Sequence, residues 1–121
     1  MKRRRSRFPS RTIAVALASL SAIVSTQAFA ESFLCTPSQV AAFNNRVHVR
    51  CTAAAPNNIS FFAVCSDTDP GFASRALSIF TTAKVTAKNI TVFYTASDTS
   101  GASCGCLTSD CRLATGAVVM Q

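Results

Sequence analysis

The sequence predicts a small, mainly β domain with one helix, closed or nearly closed into a barrel and stapled by disulfides. Three observations carry this. A single amphipathic helical stretch separates two groups of strand-like segments. Those segments are short, and several alternate apolar and polar residues with period two. All six cysteines fall after residue 30, in a chain of 121 residues. An α+β open sheet with one packed helix is the alternative arrangement of the same elements.

The first segment is an address. Lys2, Arg3, Arg4, Arg5, Arg7 and Arg11 precede an apolar run that closes in Ala28-Phe29-Ala30. A basic region, an apolar region and an A-x-A site are the parts of a secretory signal peptide. Residues 1–30 are therefore expected to be cleaved between Ala30 and Glu31, exporting the product to a bacterial periplasm or beyond. Residues 31–121 remain as one domain. Six of the twelve basic residues leave with the signal, so the +7 of the whole chain becomes +1. That balance removes the electrostatic case for nucleic-acid binding. No second apolar run is long enough to anchor the chain in a bilayer.

Along the mature chain, Ser38–Phe43 forms the first predicted strand, and Asn44-Asn45 a tight turn. In Arg46–Thr52, Val47, Val49 and Cys51 alternate with Arg46, His48 and Arg50, as in a half-buried strand with a basic outer face. Ala53–Asn58 reads as a turn. Ile59–Cys65 is almost continuously apolar, as a central strand is. Asp69 then caps a helix with Pro70 at its first position. Its stripe is Phe72, Ala73, Ala76, Ile79, Phe80 and Ala83. Ile90–Thr95 is a clear alternating strand. A Ser/Gly/Thr-rich loop follows, then a last strand, Arg112–Met120, in which Gly116 marks a bulge or bend. This order suggests an OB-type barrel with the helix packed across it.

An even cysteine count in a short exported chain reads as disulfides. Six cysteines allow fifteen pairings. Geometry favours Cys51 with Cys65 on neighbouring strands and Cys106 with Cys111 across a short turn. Cys35 then pairs with Cys104, with exchange of Cys104 for Cys106 the main competitor. The cysteine spacing matches no common zinc site, so no metal or other cofactor is expected.

Nothing assembles a catalytic constellation. His48 is the only histidine, Asp67 and Asp69 are explained by turn and cap chemistry, and there is no phosphate-binding glycine loop. The chain is expected not to be an enzyme. One surface cluster has the chemistry to bind: Arg46, His48 and Arg50, three nitrogen donors in a row on one strand face, suited to a carboxylate.

A cysteine-flanked hairpin with Cys51 and Cys65, the stretch Ala73–Thr95, a cysteine-bracketed loop and a final strand follow one another from Arg46 to Val119. This order resembles the receptor-binding B subunits of subtilase cytotoxin and its pertussis-like relatives. The resemblance implies an OB-like barrel, a homo-pentameric ring with the helices around a central pore, and sialylated glycans as ligands in shallow surface pockets. It transfers no individual contact residue, because no local motif matches. The expected function is thus an exported, non-catalytic binding module for a glycan. The alternative is a periplasmic structural or inhibitory protein that acts on an envelope or host protein.

Overall fold

A computed structural model describes residues 30–120. The expected signal peptide lies outside the described residues, apart from Ala30. Six strands and one helix follow in the order β1 (Glu31–Cys35), β2 (Pro37–Ala42), β3 (Arg46–Ala55), β4 (Ile59–Cys65), α1 (Pro70–Val85), β5 (Ile90–Tyr94) and β6 (Cys111–Val119). They form one mixed sheet, β1-β5-β6-β4-β3-β2, with α1 packed against it. Every neighbouring pair is antiparallel except β4 and β6. The ladder is not closed, and β1 and β2 are its edges. Among the described residues, no helix is long and apolar enough to cross a membrane.

The alternation read in Arg46–Thr52 sets the two faces. Val47, Val49 and Cys51 turn into the main core, with Phe62, Val64, Ile90, Val92 and Tyr94. The rings of Phe62 and Tyr94 meet at 4.9 Å, a favourable tilted aromatic contact. From the helix come Ala73, Ala76, Phe80 and Ala83, all buried. Three of these four are alanines, so the helix can lie close to the sheet while Phe80 fills the space between. Asp69 caps α1 as expected: its Oδ1 accepts the Phe72 N–H at 3.0 Å. The helix ends at Ala87, with φ 53°, where Lys88 N–H returns to the Ala83 carbonyl at 2.9 Å.

The fold departs from the sequence reading in three places. Glu31–Cys35 is a strand, because antiparallel pairing with β5 organises a segment too short to show its own period. β3 runs on through Ala55, and the turn tightens to Pro56–Asn58, with φ 64° at Asn57 and 62° at Asn58. Asparagine tolerates that left-handed conformation better than most residues. The bulge expected near Gly116 falls at Thr115, where pairing steps from Phe93–Gly116 to Tyr94–Ala114.

The disulfides are Cys35–Cys51, Cys65–Cys104 and Cys106–Cys111. Only the last matches the favoured pairing. Cys51 and Cys65 do lie on neighbouring strands, but Cys65 is opposite Arg46. Cys51 is five residues further along, roughly 17 Å at strand rise, far beyond the span of a disulfide. It lies opposite Pro37 instead, next to Cys35, and those two Cα atoms are 5.2 Å apart. Cys65 is then left to meet Cys104 at 5.7 Å. Three disulfides are consistent with an oxidising, extracytoplasmic location.

Candidate outer-face binding site

The face of β3 turned away from the core carries Arg46, His48 and Arg50. Opposite His48 stand two alanines, Ala41 on β2 and Ala63 on β4. Their small side chains leave room for the imidazole to lie down on the sheet. Phe43, just past β2, and Phe61 on β4 close over it from two sides, with ring centroids 5.3 and 5.2 Å away. His48 is therefore only 9% exposed. This corrects the expectation of an open basic strand face: the histidine is enclosed. Its Nε2 is buried and has no hydrogen-bond partner among the described residues. Burial first, and the positive charge of Arg46 second, push its pKa below the usual 6.5.

Each flanking arginine is held on one of the same two rings. The Arg46 guanidinium lies 4.3 Å from the Phe43 centroid, and that of Arg50 lies 5.6 Å from the Phe61 centroid. Arg46 is fixed further. Its Nη1 donates to the Cys104 carbonyl at 3.1 Å and to Asn45 Oδ1 at 3.3 Å. Gly105 makes that approach possible. Its φ is +88°, and a Cβ there would come within 2.5 Å of Arg46 Nη1. A side chain there would be strained by the backbone and would have to displace the guanidinium.

The loop between β5 and β6 builds the remaining wall. Its 3-10 turn, Ser100–Cys104, is tied to the end of β4 by Cys65–Cys104. Cys106–Cys111 folds the rest back on the outer face, where Ala63, Cys106 and Cys111 form a second small core with Phe61 and Leu113. Between loop and strands lies an open pocket of about 100 Å³, lined by Arg46, His48, Phe61, Gly105, Leu107, Asp110 and Cys111. Leu107 stands 65% exposed at its rim.

Of the three predicted ligand-binding residues, Arg46 and His48 meet in this pocket. Arg50 lies over the Phe61 ring and does not line the pocket. Phe43, Phe61, Gly105 and Asp110 were not singled out by the sequence. Phe61 sits inside an apolar run that reads as core, and in the fold it is half-buried on the outer side of β4, against the second small core.

A larger pocket, about 290 Å³, lies near the start of α1, with Asp69 and Asp98 in its lining. Both carboxylates are already engaged: Asp69 caps the helix, and Asp98 Oδ1 accepts the Ser100 N–H at 2.9 Å. Those Ser100 hydrogen bonds hold the Asp98 carboxyl below its ordinary range. The smaller pocket is lined by the histidine whose Nε2 is unpartnered among the described residues. Among the described residues, no group of three or more His, Cys, Asp or Glu side chains is placed to hold a metal. Every cysteine is in a disulfide. Set against known protein families, curated proteins and solved structures, the chain matches none.

Proposed function

We propose that this is an exported, non-catalytic binding module whose ligand occupies the pocket of Arg46, His48 and Phe61. The observation that carries the reading is the buried His48 Nε2, unpartnered beside a fixed guanidinium at an open pocket. Buried polar groups are almost always hydrogen-bonded, so an exception calls for an explanation, and a bound ion or water is one. A sialylated glycan fits the chemistry. Its carboxylate suits Arg46, and its ring carbons suit Phe61 and Leu107.

The strand path supports an OB-type barrel. β1 and β2 are separated only by Thr36, yet they form opposite edges of the sheet. Thr52 N–H donates to the Thr36 carbonyl at 2.9 Å, and Cys35–Cys51 fastens the same junction to β3. Taken as one bent strand, β1 and β2 make the pairing order circular, with α1 between the third and fourth strands. In such barrels the outer face of the second and third strands, between two loops, is a common place for oligosaccharides. Here that face is β3 and β4. Fold analogy supplies the place and not the ligand.

The test is a glycan array probed with oxidised protein and with an Arg46→Gln variant. Retention of sialylated glycans by the wild type, weakened tenfold or more in the variant, is the expected result. A silent array sinks the glycan reading. The second reading, action through protein contacts, is favoured by the outer face of β1, β5 and β6. There Leu34, Phe93 and Val118 are 54, 39 and 52% exposed. A silent array together with one stoichiometric partner from envelope extract would select it.

A further inference from the structure

The pocket sets one guanidinium, Arg46, and one carboxylate, Asp110, around a ring that is itself basic. On the outer face of its own strand His48 is flanked by Arg46, which lines the pocket, and by Arg50, which lies over Phe61 and does not line the pocket. From β2 and the turn after it come Ala41 and Phe43, and from β4 come Phe61 and Ala63, none of which titrates. The loop before β6 brings one carboxylate, Asp110, into the same lining. Of these charges, the Arg46 guanidinium opposes a second cation on the ring. The enclosing phenylalanine rings oppose it too, because burial disfavours the charged form.

We propose that the outer-face pocket takes up an anionic group together with a proton, which is held on His48 between Phe43 and Phe61. The proposal rests on the reading of this pocket as the binding site. An anion within about 4–6 Å of an imidazole favours its charged form. In the imidazolium both ring nitrogens are donors, so the ring gains a donor it can offer to the ligand. The guanidinium of Arg46, tethered to Cys104 and Asn45, stays in place to receive the same anion. The proton comes from solvent, and no covalent bond changes. Linkage is reciprocal: if the anion strengthens proton binding, the proton strengthens anion binding by the same factor. One linked proton limits the effect to about tenfold in affinity per pH unit, expressed between the His48 pKa of the free pocket, which lies below 6.5, and its higher value with the anion bound. The pocket thus discriminates between neutral and mildly acidic surroundings for the same ligand.

His48 is the only histidine, so its ring signals can be followed by NMR without assignment ambiguity. The oxidised exported protein is titrated with acid alone, then with sodium sulfate, with sialyllactose, and with lactose as the uncharged control. Sodium chloride at matched ionic strength controls for screening. The expected result is a midpoint below 6.5 that rises with sulfate and with sialyllactose, and does not move with lactose or chloride. A midpoint unmoved by both anions overturns the proposal. So does an equal rise with chloride, because screening alone then accounts for the shift. A rise with sulfate but not with sialyllactose sustains the proton coupling and sinks the glycan reading. In His48→Gln, anion affinity is expected to lose its pH dependence. A pH slope retained by that variant also overturns the proposal.

Discussion

At the scale of the residue, His48 joins stability to binding. Its folded pKa lies below 6.5, for burial and Arg46 both disfavour the imidazolium. The unfolded chain therefore takes up a proton first as pH falls. Stability is expected to be level above about pH 6.5 and to decline below it, until the folded histidine protonates as well. Urea unfolding of the ligand-free protein between pH 5 and 8 checks this, with His48→Gln expected to remove the decline in that range. A midpoint that does not fall between pH 7 and 5 would mean that the folded ring accepts its proton freely. Arg46 and His48 were legible in the sequence as donors on one strand face, because the period of two in Arg46–Thr52 is unbroken. The enclosure of His48 was not. It depends on Ala41 and Ala63 standing opposite, a matter of register between three strands, and on two phenylalanines from different segments. Gly105 was similarly silent, since its role is to leave space for a guanidinium 59 residues earlier in the chain.

At the scale of the element, local pattern settled α1, β4 and β5, where the apolar period is long or the caps are explicit. The disulfides were less legible. Sequence placed Cys51 and Cys65 on neighbouring strands but could not say how far apart along them, and that offset decides the pairing. The two long-range bridges do different work. Cys35–Cys51, a separation of 16, fastens the β1–β2 junction to β3. Cys65–Cys104, a separation of 39, holds the loop that forms the pocket wall and gives Arg46 its carbonyl partner. Chain-entropy arguments put their removal at about 3 and about 4 kcal/mol. Replacing both cysteines of a bridge by alanine separates the roles. The Cys35/Cys51 double variant is expected to lower the unfolding midpoint while leaving affinity for the pocket ligand within about twofold, as for a site distant from the change. The Cys65/Cys104 double variant is expected to lower stability and lose at least tenfold in affinity. Equal affinity losses in the two variants, measured below their unfolding transitions, would show that the wall does not depend on its own bridge.

At the scale of the whole molecule, the charged and uncharged surfaces are separated. The pocket face carries Arg46 and Arg50. The outer face of β1, β5 and β6 presents Leu34, Phe93 and Val118 with Ser32, Thr91 and Gly116, and none of these carries a charge. Exposed apolar surface of this kind is a usual mark of contact with another protein. A net charge of +1 over residues 31–121 offers little repulsion between copies. We propose that the other protein is this chain itself, in a homo-pentamer. A closed ring needs a heterologous contact, in which two different patches of each copy meet and the rotation closes. The uncharged face is one such patch, and the pockets would then be repeated around the ring, so that weak single sites add up on a surface bearing many glycans. Light scattering after size exclusion tests this directly on the oxidised mature protein. The expected mass is five times that of the chain, falling to the single-chain mass in Phe93→Glu, whose new charge would be buried in the contact. A wild-type monomer would end the ring proposal and leave each pocket to bind at its own single-site affinity. A dimer would also end it, because two copies related by a two-fold axis bury the same patch on both and leave nothing to close a ring.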